Sequence, residues 1–234
     1  LVSELSVHEG QLVRKGDRLL VIRSQRGVNA EEAAEIVIEA RAIAARHPQD
    51  SGVLAALAEA EFDAGNDAEA ISAADRATAI DAANRNALIQ KGYALFRQAG
   101  KSGDRIAAYA SAMKPFEALN ALENDHPLPL IYYFRSYAER GAIPPPNARA
   151  ALARAAELAP FDLGLQLTTA MMLITERKHS EARFFLAPIA ASPHGGRAAE
   201  KARQLLDLLA KTPDGEPLER TTLAVDVEAP DVSD

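Results

Sequence analysis

Apolar and small residues recur along most of this chain at the three-to-four-residue interval of a helix buried on one face. Residues 31–46 (EEAAEIVIEARAIAAR) follow that period up to His47–Pro48 and predict a helix, the second of a pair whose first member is unclear. In residues 51–84 the small or apolar positions are Leu54, Leu57, Ala58, Ala70, Ala74 and Ala77. Gly65–Asn66–Asp67 divides that stretch into two helices: a turn residue tolerant of positive φ, followed by two candidate N-caps. Further pairs are expected at 128–140 with 147–158, parted by Gly141 and Pro144–Pro145–Pro146, and at 162–177 with 180–191. After Gly195–Gly196, the alternation of Leu and charge over 197–211 suits a terminal capping helix.

The helices share a phase. Shifted by 34 residues, the window starting at Ser51 falls on Arg85, and Leu88, Gly92 and Leu95 land on the positions of Leu54, Ala58 and Glu61. The second pair is looser, with Gly100, Lys101, Ser102 and Gly103 in its connection. Its second helix is expected near residues 111–124, with Pro115 in the first turn, where a missing N–H costs nothing. The closing turns carry Pro48, Pro127, Pro160 and Pro193, with Ala82 the departure. This pattern resembles the tetratricopeptide repeat, whose two helices cross closely and want small residues at positions 8 and 20. Ala58, Ala70 and Gly92 fit those positions. The resemblance implies an all-α, right-handed α-solenoid of antiparallel helix pairs over 29–211, stacked because no pair buries its face alone.

Residues 1–28 follow other rules. The string from Val7 through Gly10, Val13 and Gly16 to Ile22 alternates β-prone aliphatics with turn glycines. It is similar to the first half of a biotinyl/lipoyl-like hairpin, as found in carrier domains and in periplasmic adaptor subunits of secretion and efflux systems. A carrier would place its modified Lys shortly after Ile22; the matching position holds Arg26, and no second half-motif follows. The chain opens on Leu1, so its natural start is expected upstream, and the compartment, cytoplasmic or periplasmic, stays open.

Charge and chemistry narrow the functional classes. The formal net charge is −7, and the segment 212–234 holds seven carboxylates (Asp214, Glu216, Glu219, Asp226, Glu228, Asp231, Asp234) against Arg220 alone. That segment is expected to be a disordered acidic tail, and the balance argues against nucleic acid as a partner. With no Cys there is neither a disulfide nor a thiolate metal site, and His8, His47, His126, His179 and His194 show no metal-ligand spacing. Gly100–Gly103 lacks the upstream glycine and strand of a phosphate loop, and no nucleophile elbow appears. No cofactor, metal or catalytic set is expected, and the chain reads as a non-enzyme with no encoded membrane association.

A stacked array lines its concave face with the first helix of each pair, the usual ligand surface of the resembled family. By register that face holds Asn86, Ile89, Gln90, Tyr93, Phe96 and Arg97, then Tyr133, Tyr137 and Arg140. Four of the nine are aromatic in a chain with 5 Tyr and 7 Phe, and Tyr and Arg are the residues that most often anchor interfaces. The competing reading is that the rings fill space between repeats. The carboxylate-clamp subtype needs Lys and Asn where this chain has Ala55 and Glu59, and Glu59 would repel a terminal carboxylate. Two functions remain: a protein- or peptide-binding scaffold, or an accessory region of a larger bacterial envelope protein (an adaptor of a secretion or efflux system, or the C-terminal arm of a peptidase-like enzyme).

Overall fold

The computed structural model describes residues 2–5, 20–22, 30–193 and 195–218. Two short strands, β1 (Val2–Leu5) and β2 (Leu20–Ile22), pair antiparallel with Leu5 opposite Leu20 and an irregularity between Val2 and Glu4. Most of the glycine-punctuated string between them, with His8 and Arg26, lies outside the described residues, as do His194 and residues 219–234.

Ten helices follow among the described residues: α1 (Ala30–Arg46), α2 (Ser51–Asp63), α3 (Asp67–Ile80), α4 (Arg85–Gly100), α5 (Arg105–Leu122), α6 (Pro127–Ala138), α7 (Pro146–Leu158), α8 (Leu163–Thr175), α9 (His179–Ala191) and α10 (Gly196–Leu209). Helices α2/α3, α4/α5, α6/α7 and α8/α9 are the pairs, each helix packing on its sequence neighbours, with α4 also touching α2. This is the all-α solenoid expected from the period. The starts are set by short acceptor side chains: Asp50, Asn84, Asp104 and Asp162 each accept from the backbone N–H three residues on, at 2.9 to 3.1 Å.

The pattern of small residues does what the spacing predicts. Ala58, Ala70, Ala74 and Ala77 are fully buried, and the α1–α4 core is built mainly of Ala around Leu54 and Leu57. The core then changes character. At α4–α5 it is aromatic (Phe96, Tyr109, Phe116), and from α7 to α10 it is aliphatic, around Leu152, Leu173, Leu186 and Ile189. Gly65 turns with φ 85°, as the α2–α3 break requires.

Three local expectations are corrected. Helix α5 begins at Arg105, not near residue 111, because Asp104 caps it, and Pro115 therefore sits buried in its interior. The proline deprives Ser111 of a backbone partner, but Ser111 is exposed and water can serve its carbonyl. Neither Asn66 nor Asp67 caps α3: Asn66 Nδ2 donates to Glu61 Oε2 at 2.8 Å, and Asp67 is held by Arg97. Finally, the ordered body runs past Lys211. The Gly215 N–H donates to the Arg177 carbonyl at 2.9 Å, His179 Nδ1 donates to the Thr212 carbonyl at 3.1 Å, and Leu218 packs on the C-terminal core. Asp214 accepts from the Ser180 N–H at 2.8 Å, capping α9 from downstream because Lys178 supplies no side-chain cap. That backbone bond holds the Asp214 carboxyl below its ordinary range.

Candidate peptide-binding face

The residues expected to form a single ligand face belong to α4, α6 and the turn after α6, and the structure gives them different jobs. On α4, Asn86 and Gln90 form a polar ladder: Asn86 Nδ2 donates to Glu59 at 3.0 Å, and Gln90 Nε2 donates to Asn86 Oδ1 at 3.1 Å. Gln90 is buried, and its Oε1 has no partner. One turn on, Tyr93 lies among Phe62, Phe116 and Tyr132, with ring centroids 5.6, 6.1 and 5.3 Å away. Burial pushes its phenol up to about 12, with neighbouring Tyr132 adding to the shift and Arg135 opposing it. Ile89 is half-buried and Phe96 is buried core.

Arg97 is committed to the fold. Its Nε donates to Asp67 Oδ1 at 2.6 Å and its Nη2 to the Phe62 carbonyl at 2.7 Å, while the guanidinium lies 3.9 Å from the Phe62 ring centre. It anchors α4 to the α2–α3 turn and is not a free cation.

Helix α6 carries rings on two sides. Tyr132 faces inward, stacked on Phe116 at 4.3 Å and 19° and edge-on to Phe96 at 4.7 Å. Burial pushes its phenol up, against Arg135, whose guanidinium lies 4.8 Å from the ring. Arg135 Nε donates to Glu139 Oε1 at 2.8 Å, and Glu139 Oε2 accepts from Tyr109 at 3.0 Å, tying α5 to α6. The stripe Tyr132, Arg135, Glu139 was missed in the sequence, although its i, i+3, i+7 spacing puts it on one helix face.

Tyr133, Tyr137 and Arg140 are brought together. The two tyrosine rings meet edge-on at 5.6 Å, and the Arg140 guanidinium caps Tyr137 at 4.4 Å. Tyr133 accepts a hydrogen bond from Asn147 Nδ2 at 2.8 Å, and its phenol is raised, first by hydrogen bonding to Tyr137 and then by burial. All three remain part-exposed, and Tyr133 walls a cleft of about 270 Å³ between α5 and α6 with Met113, Leu130 and Pro129. Arg140 Nε is buried without a hydrogen-bond acceptor.

The whole arrangement is similar to solved tetratricopeptide proteins. The chain matches the crystal structure of TTC0263, a thermophilic TPR protein of Thermus thermophilus, at a TM-score of 0.56 and 15% identity, covering 78% of this chain and 91% of that one. It also matches residues 41 to the end of MamA from Desulfovibrio magneticus RS-1 at a TM-score of 0.53 and 16% identity, covering 70% of this chain and 87% of that one. No protein-family model matches the chain, and no curated protein matches it in sequence. The fold is therefore shared at an identity that speaks for the fold alone. Nothing in these comparisons supports the biotinyl/lipoyl-like resemblance of residues 1–26, or the accessory-region reading as an adaptor or a peptidase arm. Among the described residues no helix is long and apolar enough to cross a membrane, and no three His, Asp or Glu side chains converge as a metal site requires.

Proposed function

We propose that this chain is a protein-interaction scaffold that takes a peptide segment on the first-helix face of its central repeats, with Tyr133, Tyr137 and Arg140 as the anchor. The observation that carries this reading is the part-exposed trio itself: two edge-packed rings with a guanidinium over one of them. Asn147 holds Tyr133 in place. Such a surface offers flat apolar area at little entropic cost, plus a cation for an acidic side chain of the ligand. Asn86 and Gln90 are tied into the Glu59–Asn86–Gln90 ladder, with Gln90 buried, and brace the face without offering free amides. Tyr93 and Arg97, the remaining members of the expected set, support that face from within the fold.

The test is selection from a random peptide library on the immobilised full chain, followed by affinity measurement. Peptides enriched on the native protein should lose about thirtyfold in affinity, roughly 2 kcal/mol, on Tyr137→Ala, with the melting temperature nearly unchanged. Enriched peptides indifferent to both Tyr137→Ala and Arg140→Ala would place the ligand surface elsewhere.

A further inference from the structure

Where α2 meets α4, the first full repeat collects negative charge that the fold leaves uncompensated. Glu59 and Asp63 stand one turn apart on α2, both at the surface, and carboxylates at that spacing share a helix face. Their closeness shows on Asp63: partial burial first, and then Glu59, push its carboxyl above the ordinary range. Arg97 opposes that shift, but its own hydrogen bonds go to Asp67 and to the Phe62 carbonyl. Lys101 also lies toward Asp67, at 4.0 Å. Among the described residues, neither Glu59 nor Asp63 joins an ion pair.

The neighbouring amides show what is missing there. A carboxylate only accepts, so Glu59 fixes the sense of the two side chains that follow it. Asn86 must turn Nδ2 to Glu59, at 3.0 Å, and its Oδ1 then takes Gln90 Nε2 at 3.1 Å. The row ends on an oxygen, Gln90 Oε1. Gln90 is 7% exposed, and that oxygen is buried with no donor. A buried acceptor left unpaired is a standing cost to the fold, and a donor from outside would remove it. Gln90 lies between the two ties that join α4 to α2, from Asn86 to Glu59 and from Arg97 to the carbonyl of Phe62, the residue before Asp63. This stretch of the α2–α4 junction therefore offers two unpaired carboxylates and a carbonyl oxygen, and no donor to match them.

We propose that the junction is a lysine site: the ammonium of a lysine in a partner polypeptide pairs with Glu59 and Asp63 and donates to Gln90 Oε1. An ammonium is a compact charge with three donors on a slender stem, which matches three acceptors at a narrow entry. The site lies on a different repeat from the Tyr133–Tyr137–Arg140 anchor and does not depend on it. A segment that used both would carry its basic residue at α2–α4 and its acidic one near Arg140, which would fix its direction along the array.

The probe is N-acetyl-lysine methylamide, titrated into the ¹⁵N-labelled full chain at constant ionic strength. N-acetyl-norleucine methylamide, which has the same stem without the charge, is the control. The side-chain amide signals of Asn86 and Gln90 should shift saturably with the lysine probe, with a dissociation constant of millimolar order, and should not saturate with norleucine. Glu59→Gln keeps an oxygen for Asn86 to donate to, and Asp63→Asn changes a surface residue, so both variants should melt as the native chain does. Each should weaken the lysine probe about tenfold by removing a charge-assisted bond. Shifts that grow linearly with concentration, or that are alike for norleucine or in both variants, would overturn the proposal. Saturable binding of calcium chloride at the same signals, with the lysine probe silent, would assign the carboxylates to a metal ion and overturn it too. Tyr137→Ala should leave the titration unchanged, so failure here and failure of the peptide-face reading are told apart.

Discussion

Gly92→Ala would test how closely α4 and α5 cross. A Cβ built at Gly92 falls 2.6, 2.8 and 2.9 Å from Cζ, Cε2 and Cε1 of Phe116, closer than real Cβ contacts come. The ring cannot retreat, because its other neighbour is the Tyr132 ring, stacked at 4.3 Å, and Phe116 is fully buried. Overpacking of this kind costs about 1–3 kcal/mol. Against it stands the gain of replacing a mid-helix glycine with alanine, up to about 1 kcal/mol. The balance is a loss of up to about 2 kcal/mol, or a few degrees in melting temperature for a chain of this size. Gly100, at the end of the same helix, is the internal control: its added Cβ would meet only the Tyr109 hydroxyl, at 3.6 Å, so Gly100→Ala should be neutral or stabilising. Paired urea and thermal unfolding of the two variants measures the contrast. If Gly92→Ala gained stability as much as Gly100→Ala, the close crossing would not exist and the repeat phase that places Gly92 there would lose its physical basis.

Other outcomes follow from the same junction. Tyr93 and Tyr132 are neutral in the fold and raised above their ordinary 10.0, so stability they share is complete below pH 10 and lost as pH climbs toward about 12; alkaline unfolding followed by circular dichroism should fall in that window and move with Tyr93→Phe. Arg97→Ala strands the buried Asp67 carboxylate, whose other cation, Lys101, is 4.0 Å away, and should cost about 2 kcal/mol of stability, discounted from a fully buried pair because Arg97 is partly exposed. Truncating Tyr132, half-buried against the rings of α4 and α5, should cost about 2–3 kcal/mol, whereas Tyr137→Ala should cost under about 1 kcal/mol, and thermal unfolding of the two separates the packing ring from the outer one.

The fold was legible because its tightest constraint is local. Ala58, Ala70 and Gly65 are where two helices must touch or the chain must reverse, and each shows in the sequence as a small residue at a fixed phase. The start of α5 was not legible, since Pro115 reads as a first-turn residue, whereas Asp104, just past the loop, caps the helix six residues earlier. The site was only half legible. Register puts Arg97 and Arg140 on comparable surfaces, but not that Asp67, thirty positions upstream, already holds Arg97. Nor does the period reveal that a carboxylate such as Glu61, 2% exposed, belongs in the core. It is there because Arg41 of α1 grips it with two bonds, at 2.6 and 2.9 Å, and Asn66 adds a third.

The change in core composition along the array bears on where a ligand face can arise. Through α1 to α4 the helices meet through Ala, which brings backbones close and leaves little side chain to project. At α4 to α6 the contacts are made by rings, and a ring wide enough to bridge two helices needs a partner on each side: Tyr132 has Phe96, Phe116 and Tyr93. The helix that supplies this bridge must hold its rotation, and the Arg135–Glu139–Tyr109 network fixes it from the α5 side. Successive residues on a helix turn by about 100°, so fixing Tyr132 inward fixes Tyr133 and Tyr137 on a neighbouring, outward face. The aromatic junction thus serves both as packing and as the mount of the proposed anchor. Of the rings that the sequence left between two readings, Tyr93 and Phe96 pack within this junction, and Tyr133 and Tyr137 lie on the part-exposed face where the anchor is proposed.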